Sequence, residues 1–219
     1  KLGEAVRVIE RTVRMFGENA IALGFNGGKD CTILVHLYVA VLSRLRRRGD
    51  IPSPPEGTKQ PRILCFYVSS PRSFEKADIF VKSCRYLYNL NVVSISEPIK
   101  SATQRFCRAH PHIRSIIMGV RRDDPHGKLL QAFSPCDKDW AENVIRVSPI
   151  LDMSFEEVWE STHACGIPIC PLYYDGYTSL GYKDNTTKND ALLDRTNGEW
   201  LPGWYLLDGT LERMNRAYT

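Results

Sequence analysis

The sequence has no apolar run long enough to span a membrane, no internal repeat and no dense basic stripe of the kind that marks nucleic-acid binders. These absences predict that neither a membrane nor a nucleic acid is a partner. A disulfide framework is missing too. Seven cysteines, at positions 31, 65, 84, 107, 136, 165 and 170, make an odd count, and several fall inside apolar runs. Nothing at the start reads as a secretory signal, so the thiols are expected to be reduced and the protein cytoplasmic. The chain begins at Lys1 rather than methionine, which leaves open a targeting segment trimmed from it. Cys165 and Cys170 have zinc-like spacing, but no second pair completes a site.

What is present is an ordinary globular composition. The 219 residues are 43% hydrophobic and 25% charged, which suits one large domain or one domain with a sizeable appendage. A net charge of +4 suits anionic small molecules. The densest basic run, Arg44 with Arg46, Arg47 and Arg48, sits at a predicted helix end, where cations complement the helix dipole.

Periodicity predicts an amphipathic helix over 4–16, a strand over 21–25 and a helix over 31–47. A proline-bearing surface loop over 49–62 follows. Next come a strand over 63–68, a helix over 74–88 capped by Ser73, and a strand over 91–95. A short helix over 98–109 and a strand over 113–120 complete the series. Nearly all-apolar strands alternating with helices indicate an α/β fold, a mainly parallel sheet with helices on both faces. Ligands of such sheets bind at the carboxyl ends of the strands, so the segments after Phe25, Val68 and Val120 are expected to share one crevice. Residues 121–143 are polar and rich in turn formers. A strand over 144–147 follows, then a helix with a capping box at Ser154 and Glu157 that stops near Gly166. Residues 171–203 are loop-rich. The division expected is 1–150 as a nucleotide-binding part and 151–219 as a C-terminal appendage, together one domain.

The most informative segment is Phe25-Asn26-Gly27-Gly28-Lys29-Asp30-Cys31, at a strand-to-helix turn. Adjacent glycines let the backbone turn sharply and approach a ligand closely. Amides at the helix start then favour an anion, Lys29 adds a positive charge, and Asp30 adds a carboxylate that could serve a metal or simply the helix dipole. A P-loop would need glycine at Leu23 and a hydroxyl at Asp30, so that motif fails. The dinucleotide fingerprint fails because Asn26 stands where its second glycine belongs.

The loop resembles the SGGKD loop of the PP-loop ATP pyrophosphatases, with asparagine in place of serine. Further segments follow in order: Gly119-Val120-Arg121-Arg122-Asp123-Asp124-Pro125, Ser134-Pro135-Cys136-Asp137-Lys138-Asp139-Trp140, Pro168-Ile169-Cys170 running into Gly176-Tyr177-Thr178-Ser179-Leu180-Gly181, and Leu211-Glu212-Arg213-Met214-Asn215-Arg216. Together they resemble the eukaryotic-type FAD synthases (FMN adenylyltransferases), a PAPS-reductase-like branch of that superfamily with a Rossmann-like fold. The resemblance implies transfer of AMP from ATP to FMN, giving FAD and pyrophosphate, with Mg²⁺. It also implies flavin apoproteins as transient recipients of FAD.

On that reading Gly27, Gly28 and Lys29 hold the leaving pyrophosphate, and Asn26 orients it or the metal. Asp30 and Asp124 are the candidates for Mg²⁺ or its water shell. Arg213 and Arg216, three apart on a helix, would clamp phosphate oxygens. Arg121 would contact an ATP or flavin phosphate, or pair with Asp123 or Asp124. Adenine is expected near Phe66, Tyr67 and Val68, with Phe25 and Gly119 lining the same crevice. Asp137, Trp140 and Arg146 suit a flavin slot, with Tyr177 and Thr178 beside it. The segment after Val68 lacks the acidic residues expected of relatives. A PAPS reductase would need a C-terminal catalytic cysteine, which the tail lacks. A thiouridine-forming enzyme would need paired cysteines, for which only Cys165 and Cys170 could serve. A degenerate nucleotide-binding domain is the non-enzymatic alternative.

Overall fold

A computed structural model describes residues 1–58, 61–125, 127–137 and 140–217. Lys138 and Asp139 of the segment carrying Asp137 and Trp140 lie outside the described residues. The elements run in the order α1 (Leu2–Phe16), β1 (Ile21–Gly24), α2 (Lys29–Arg48), β2 (Ile63–Val68), α3 (Glu75–Leu87), β3 (Leu90–Ile95), α4 (Ile99–Ala109), β4 (Ser115–Ile117), β5 (Phe133–Pro135), β6 (Ile145–Val147) and α5 (Phe155–Ala164). The strands form one six-stranded sheet in the order β3-β2-β1-β4-β6-β5, parallel throughout except for β5 against β6.

Alternation along the strands splits the core into two. Ile21, Leu23, Cys65, Tyr67 and Ile117 face a core shared with α1, α2, α3 and α5. Ala22, Phe66 and Ile116 face the other side, where Ala102 and Phe106 of α4 cover them. Both faces are therefore dry, which is why these strands read as continuous apolar runs. The first core also takes in Tyr173, Leu192 and Leu206, so hydrophobic packing continues from the sheet into the C-terminal part.

Three local expectations change. The strand expected over 113–120 is only Ser115–Ile117. Beyond it the chain turns away to bring Arg121 against α2. Phe74, not Ser73, is the N-cap of α3, and no side chain caps it. A short edge strand, β5, lies within the stretch expected to be irregular. At its edge Pro135 costs no interior ladder bond. The capping box at Ser154 forms as expected, with Glu157 N–H donating to Ser154 Oγ at 3.2 Å and Ser154 N–H to Glu157 Oε2 at 2.9 Å. All seven cysteines are free. Among the described residues no helix is long and apolar enough to cross a membrane.

The chain adds β2 and β3 on one side of β1 and β4 on the other. The crevice of such a sheet opens where the winding reverses, above the carboxyl ends of β1 and β4.

Candidate active site

A cavity of about 390 Å³ occupies that switch point. Phe25, Asn26, Gly28, Asp30 and Cys31 line one wall, and Gly119 and Asp124 after β4 line another. Phe66, Tyr67, Val68 and Met118 supply an apolar side, while Ser179, Leu180, Glu212, Arg213 and Arg216 close the cavity from the C-terminal part. The segments after Phe25, Val68 and Val120 thus converge as expected.

Two glycines make the approach possible. Gly27 sits at φ 77°, a left-handed conformation that strains any side chain, and it makes the turn that leads through the N-cap Gly28 into α2. A Cβ on Gly119 would lie 2.8 Å from the backbone carbon of Asp30 and the nitrogen of Cys31. Glycine there lets the end of β4 lie against the first turn of α2.

The turn is rigid because its own groups bind one another. Asn26 Oδ1 accepts from Gly28 N–H at 2.9 Å and from the Cys31 thiol at 2.7 Å. An amide that receives a backbone N–H must present its oxygen there, so the NH₂ of Asn26, a cavity-lining residue, is the end left for a ligand. Lys29 N–H donates to the hydroxyl of Tyr173 at 2.9 Å. Two amides expected to greet a ligand are therefore used inside the protein. Burial pushes the Cys31 thiol up to about 12, which keeps it a neutral donor.

The charged side chains behave differently from the expectation. Lys29 and Arg121 are each 1% exposed and do not line the cavity. Lys29 Nζ donates to Asp30 Oδ2 at 2.9 Å and to Glu212 Oε1; Arg121 donates through Nε to Asp30 Oδ1 at 2.8 Å and through Nη2 to Glu212 Oε2. The four groups close a ring of two cations and two carboxylates. The Phe155 ring of α5 lies 5.3 Å from Lys29 Nζ and covers it. Burial alone would raise the Asp30 carboxyl, but the charges of Lys29 and Arg121 outweigh it and hold the group below its ordinary range. Burial likewise opposes the Arg121 charge, and Asp30 and Glu212 more than restore it.

Asp124 is bound into the same wall. Its Oδ2 accepts from Arg121 N–H at 2.8 Å and its Oδ1 from Arg213 Nη1 at 2.9 Å. Asp30 and Asp124 thus spend every carboxylate oxygen on a cation or an amide. Asn26 turns its oxygen inward, and among the described residues no three His, Cys, Asp or Glu side chains gather to hold a metal. A Mg²⁺ held here would share the oxygens of Asp30 or Asp124 with those donors and take its other ligands from phosphates and water.

Arg213 lies on the turn following the 3-10 segment Gly209–Leu211 and Arg216 in an isolated antiparallel bridge to Thr186, so neither is on an α-helix. Arg216 N–H bonds back to Arg213 O at 3.0 Å, and this tight turn keeps both side chains on the cavity. Arg216 Nη1 also holds Leu180 O at 2.8 Å.

The residues expected around a flavin lie outside the switch-point cavity. Asp137 is exposed just after β5, and Arg146 sits in the middle of β6 beside Ser134. Trp140 lines a separate cleft with Gln104, Arg108 and Arg114. None of the three lines the switch-point cavity. Tyr177 packs edge-on against Phe74 at 5.2 Å, and Thr178 is buried, donating to Glu212 O at 2.6 Å and accepting from Asn189 at 3.0 Å. In that segment Ser179, Leu180 and Gly181 line the cavity. Sequence reasoning passed over Glu212, Tyr173 and Ser179. A buried carboxylate beside two arginines carries no periodic signal, and only its place next to the clamp residues could have singled out Glu212.

Comparison with known proteins bears on the family and the fold. The phosphoadenosine phosphosulfate reductase domain family matches residues 20–188. A probable FAD synthase of Schizosaccharomyces pombe is 36% identical over 219 residues, covering all of this chain and 80% of that protein. A probable FAD synthase of Caenorhabditis elegans is 36% identical over 99% of this chain, which spans only 40% of the nematode protein. The crystal structure of Candida glabrata FMN adenylyltransferase with FMN and an ATP analogue superposes with a TM-score of 0.85 at 21% identity, covering 100% of this chain and 88% of that one, and so shares the fold. The chain belongs to the phosphoadenosine phosphosulfate reductase domain family and, within it, to the eukaryotic FAD synthases.

Proposed function

We propose that the protein is an FMN adenylyltransferase: a phosphate oxygen of FMN attacks the α-phosphorus of ATP, the bond from that phosphorus to the β-phosphate oxygen breaks, and pyrophosphate leaves with the electron pair. The observation that carries this reading is a cavity at the switch point, walled by the Asn26–Gly28 turn on one side and by Arg213 and Arg216 on the other, in a chain of this family. A phosphate monoester is already a nucleophile at neutral pH, so no serine or cysteine nucleophile is required. The enzyme's task is to align two polyanions and offset the charge on the leaving group.

The geometry supports the following roles. The Asn26 NH₂, the start of α2 and the arginine pair face the anions. Lys29, Asp30, Arg121, Glu212 and Asp124 hold those groups in place. Gly27 and Gly28 shape the turn, and Phe25, Val68 and Gly119 receive the nucleoside. Asp137, Trp140 and Arg146 would meet the flavin from the β5–β6 edge, with Tyr177 backing the wall. Residues 1–150 bind nucleotide in this reading, and 151–219 complete the phosphate and flavin site. Mg²⁺ would arrive as the counter-ion of the polyphosphate, and no step depends on a residue ligating it. A cytoplasmic location, in keeping with seven free thiols, and delivery of FAD to flavin apoproteins belong to the same reading.

The test is direct. Incubation with ATP, MgCl₂ and FMN, with flavins separated by chromatography and pyrophosphate assayed, is expected to yield FAD and pyrophosphate in equal amounts. Folded protein that yields no FAD across a range of divalent metals would overturn the proposal.

A further inference from the structure

The segment Gly176-Tyr177-Thr178-Ser179-Leu180-Gly181 crosses one wall of the cavity and is fastened on both sides of Ser179. Before it, Thr178 Oγ1 donates to Glu212 O at 2.6 Å and receives the Asn189 amide at 3.0 Å. After it, Leu180 O accepts from Arg216 Nη1 at 2.8 Å. Ser179 itself is 4% exposed and lines the cavity, yet its Oγ has no hydrogen-bond partner among the described residues. Ser115 and Ser148 also have unpartnered buried hydroxyls, but neither lines this cavity.

A buried hydroxyl left unpaired is costly, of order 1–3 kcal/mol, so a fixed one on a binding wall calls for a partner supplied by the ligand. The same wall carries Arg213 and Arg216. An oxyanion drawn to those guanidinium groups would meet on the same wall a donor already stripped of water. We propose that Ser179 Oγ donates a hydrogen bond to a phosphate oxygen of one of the two nucleotides, forming with the arginine pair a second phosphate subsite opposite the glycine turn. The inference rests on the adenylyltransferase reading for the identity of its ligands. Its geometry, a donor beside two cations, is independent of the reaction.

Ser179→Ala is the test, read by separate KM values for FMN and ATP, by product inhibition with pyrophosphate, and by melting temperature. Loss of a hydrogen bond to a charged group is expected to raise one KM by roughly tenfold and leave the other unchanged. A rise for FMN alone assigns the subsite to the flavin phosphate. A rise for ATP, with weaker inhibition by pyrophosphate, assigns it to the polyphosphate. No change in either KM, or equal changes in both, overturns the proposal. Should Ser179→Ala lower the melting temperature, Ser179→Cys keeps the volume with a weaker donor and is held to the same split. If the wild-type protein makes no FAD, the function has failed while the subsite remains testable. Calorimetric binding of inorganic pyrophosphate or FMN must then weaken for at least one ligand in Ser179→Ala, and unchanged affinity for both overturns the subsite.

Discussion

Two sets of ion pairs hold the cavity together, and their distances hardly differ. In the ring beneath the glycine turn, Asp30 lies 2.8 Å from Arg121 and 2.9 Å from Lys29. At the rim, Arg72 grips Asp184 through two bonds of 2.5 and 2.9 Å and so ties the loop after β2 to the C-terminal part. Burial separates them. Lys29 and Arg121 are sealed from water, whereas Arg72 and Asp184 are about half exposed. An exposed pair, once broken, recovers water at both ends and loses little. A buried group whose partner is removed has no water to turn to. The contrast teaches that the ring is the immovable part of the site and the rim its adjustable part, although a distance list ranks them equal.

The sharpest way to break the comparison is Glu212→Ala. It leaves Lys29 and Arg121 buried with Asp30 as their remaining ring acid, and loss of one partner of a buried pair costs about 3–5 kcal/mol. A large fall in melting temperature and loss of turnover are expected, since Arg213 adjoins Glu212 and would lose its setting. Glu212→Gln keeps the shape and is expected to fall between the two. A Glu212→Ala protein as stable as wild type would show that the ring carries no more than the rim does.

Acid titration sharpens the same point through Asp30. Its carboxyl is held below the ordinary value of 3.8, because Lys29 and Arg121 override its burial. A depressed folded-state pKa gives stability that is fully present above the unfolded value and is lost as pH falls through the folded one. Wild type should therefore exceed Asp30→Asn in stability near neutral pH, and the gap should begin to close only below pH 3.8. Denaturant midpoints measured against pH check this. A gap that closes on raising the pH instead would contradict the charge pairing.

The difference between the ring and the sheet around it also explains what the sequence made legible. Ile63–Val68 is a dry strand in the middle of a sheet, and its six apolar or aromatic residues announce it directly. Phe133–Pro135 is three residues at an edge, one of them proline, so it carries no comparable pattern. Asp30, Asp124, Lys29 and Arg213 were legible as chemistry-bearing residues, but their partners were not. That Asp124 pairs with Arg213 across 89 positions, and Lys29 with Glu212 across 183, depends on how the chain folds back on itself. Motif reading directed most of these charges at ligands, with an ion pair as the alternative for Arg121 and the helix dipole for Asp30. The fold assigns several of them to one another.

A smaller effect on stability is expected at the turn itself. Asn26→Asp preserves the acceptor for Gly28 N–H and the Cys31 thiol but replaces the NH₂ facing the cavity with an acceptor that carries charge. Asn26 is exposed, so the melting temperature should change little. ATP binding should weaken by roughly tenfold or more, because a donor to phosphate becomes a like charge beside it. Parallel titrations of ATP into the two proteins decide it. Equal affinities would mean that the amide nitrogen meets no phosphate.

Arg72→Ala should change stability least. Arg72 stacks over the Tyr182 ring at 4.6 Å, holds Asp184, and accepts Lys183 N–H on its own carbonyl at 2.8 Å. The last of these is a backbone bond that the substitution leaves in place. Because both charged ends are open to solvent, the melting temperature is expected to stay within experimental error, and added salt should matter little to the difference. The rim nonetheless spans from β2 to the segment next to Ser179, so the measurable consequence should lie in exchange. Backbone amides of 182–187 should exchange faster with deuterium in the variant, while those at the start of α2 keep wild-type protection. Faster exchange at both places would mean that rim and ring open together, and the distinction between them would fall.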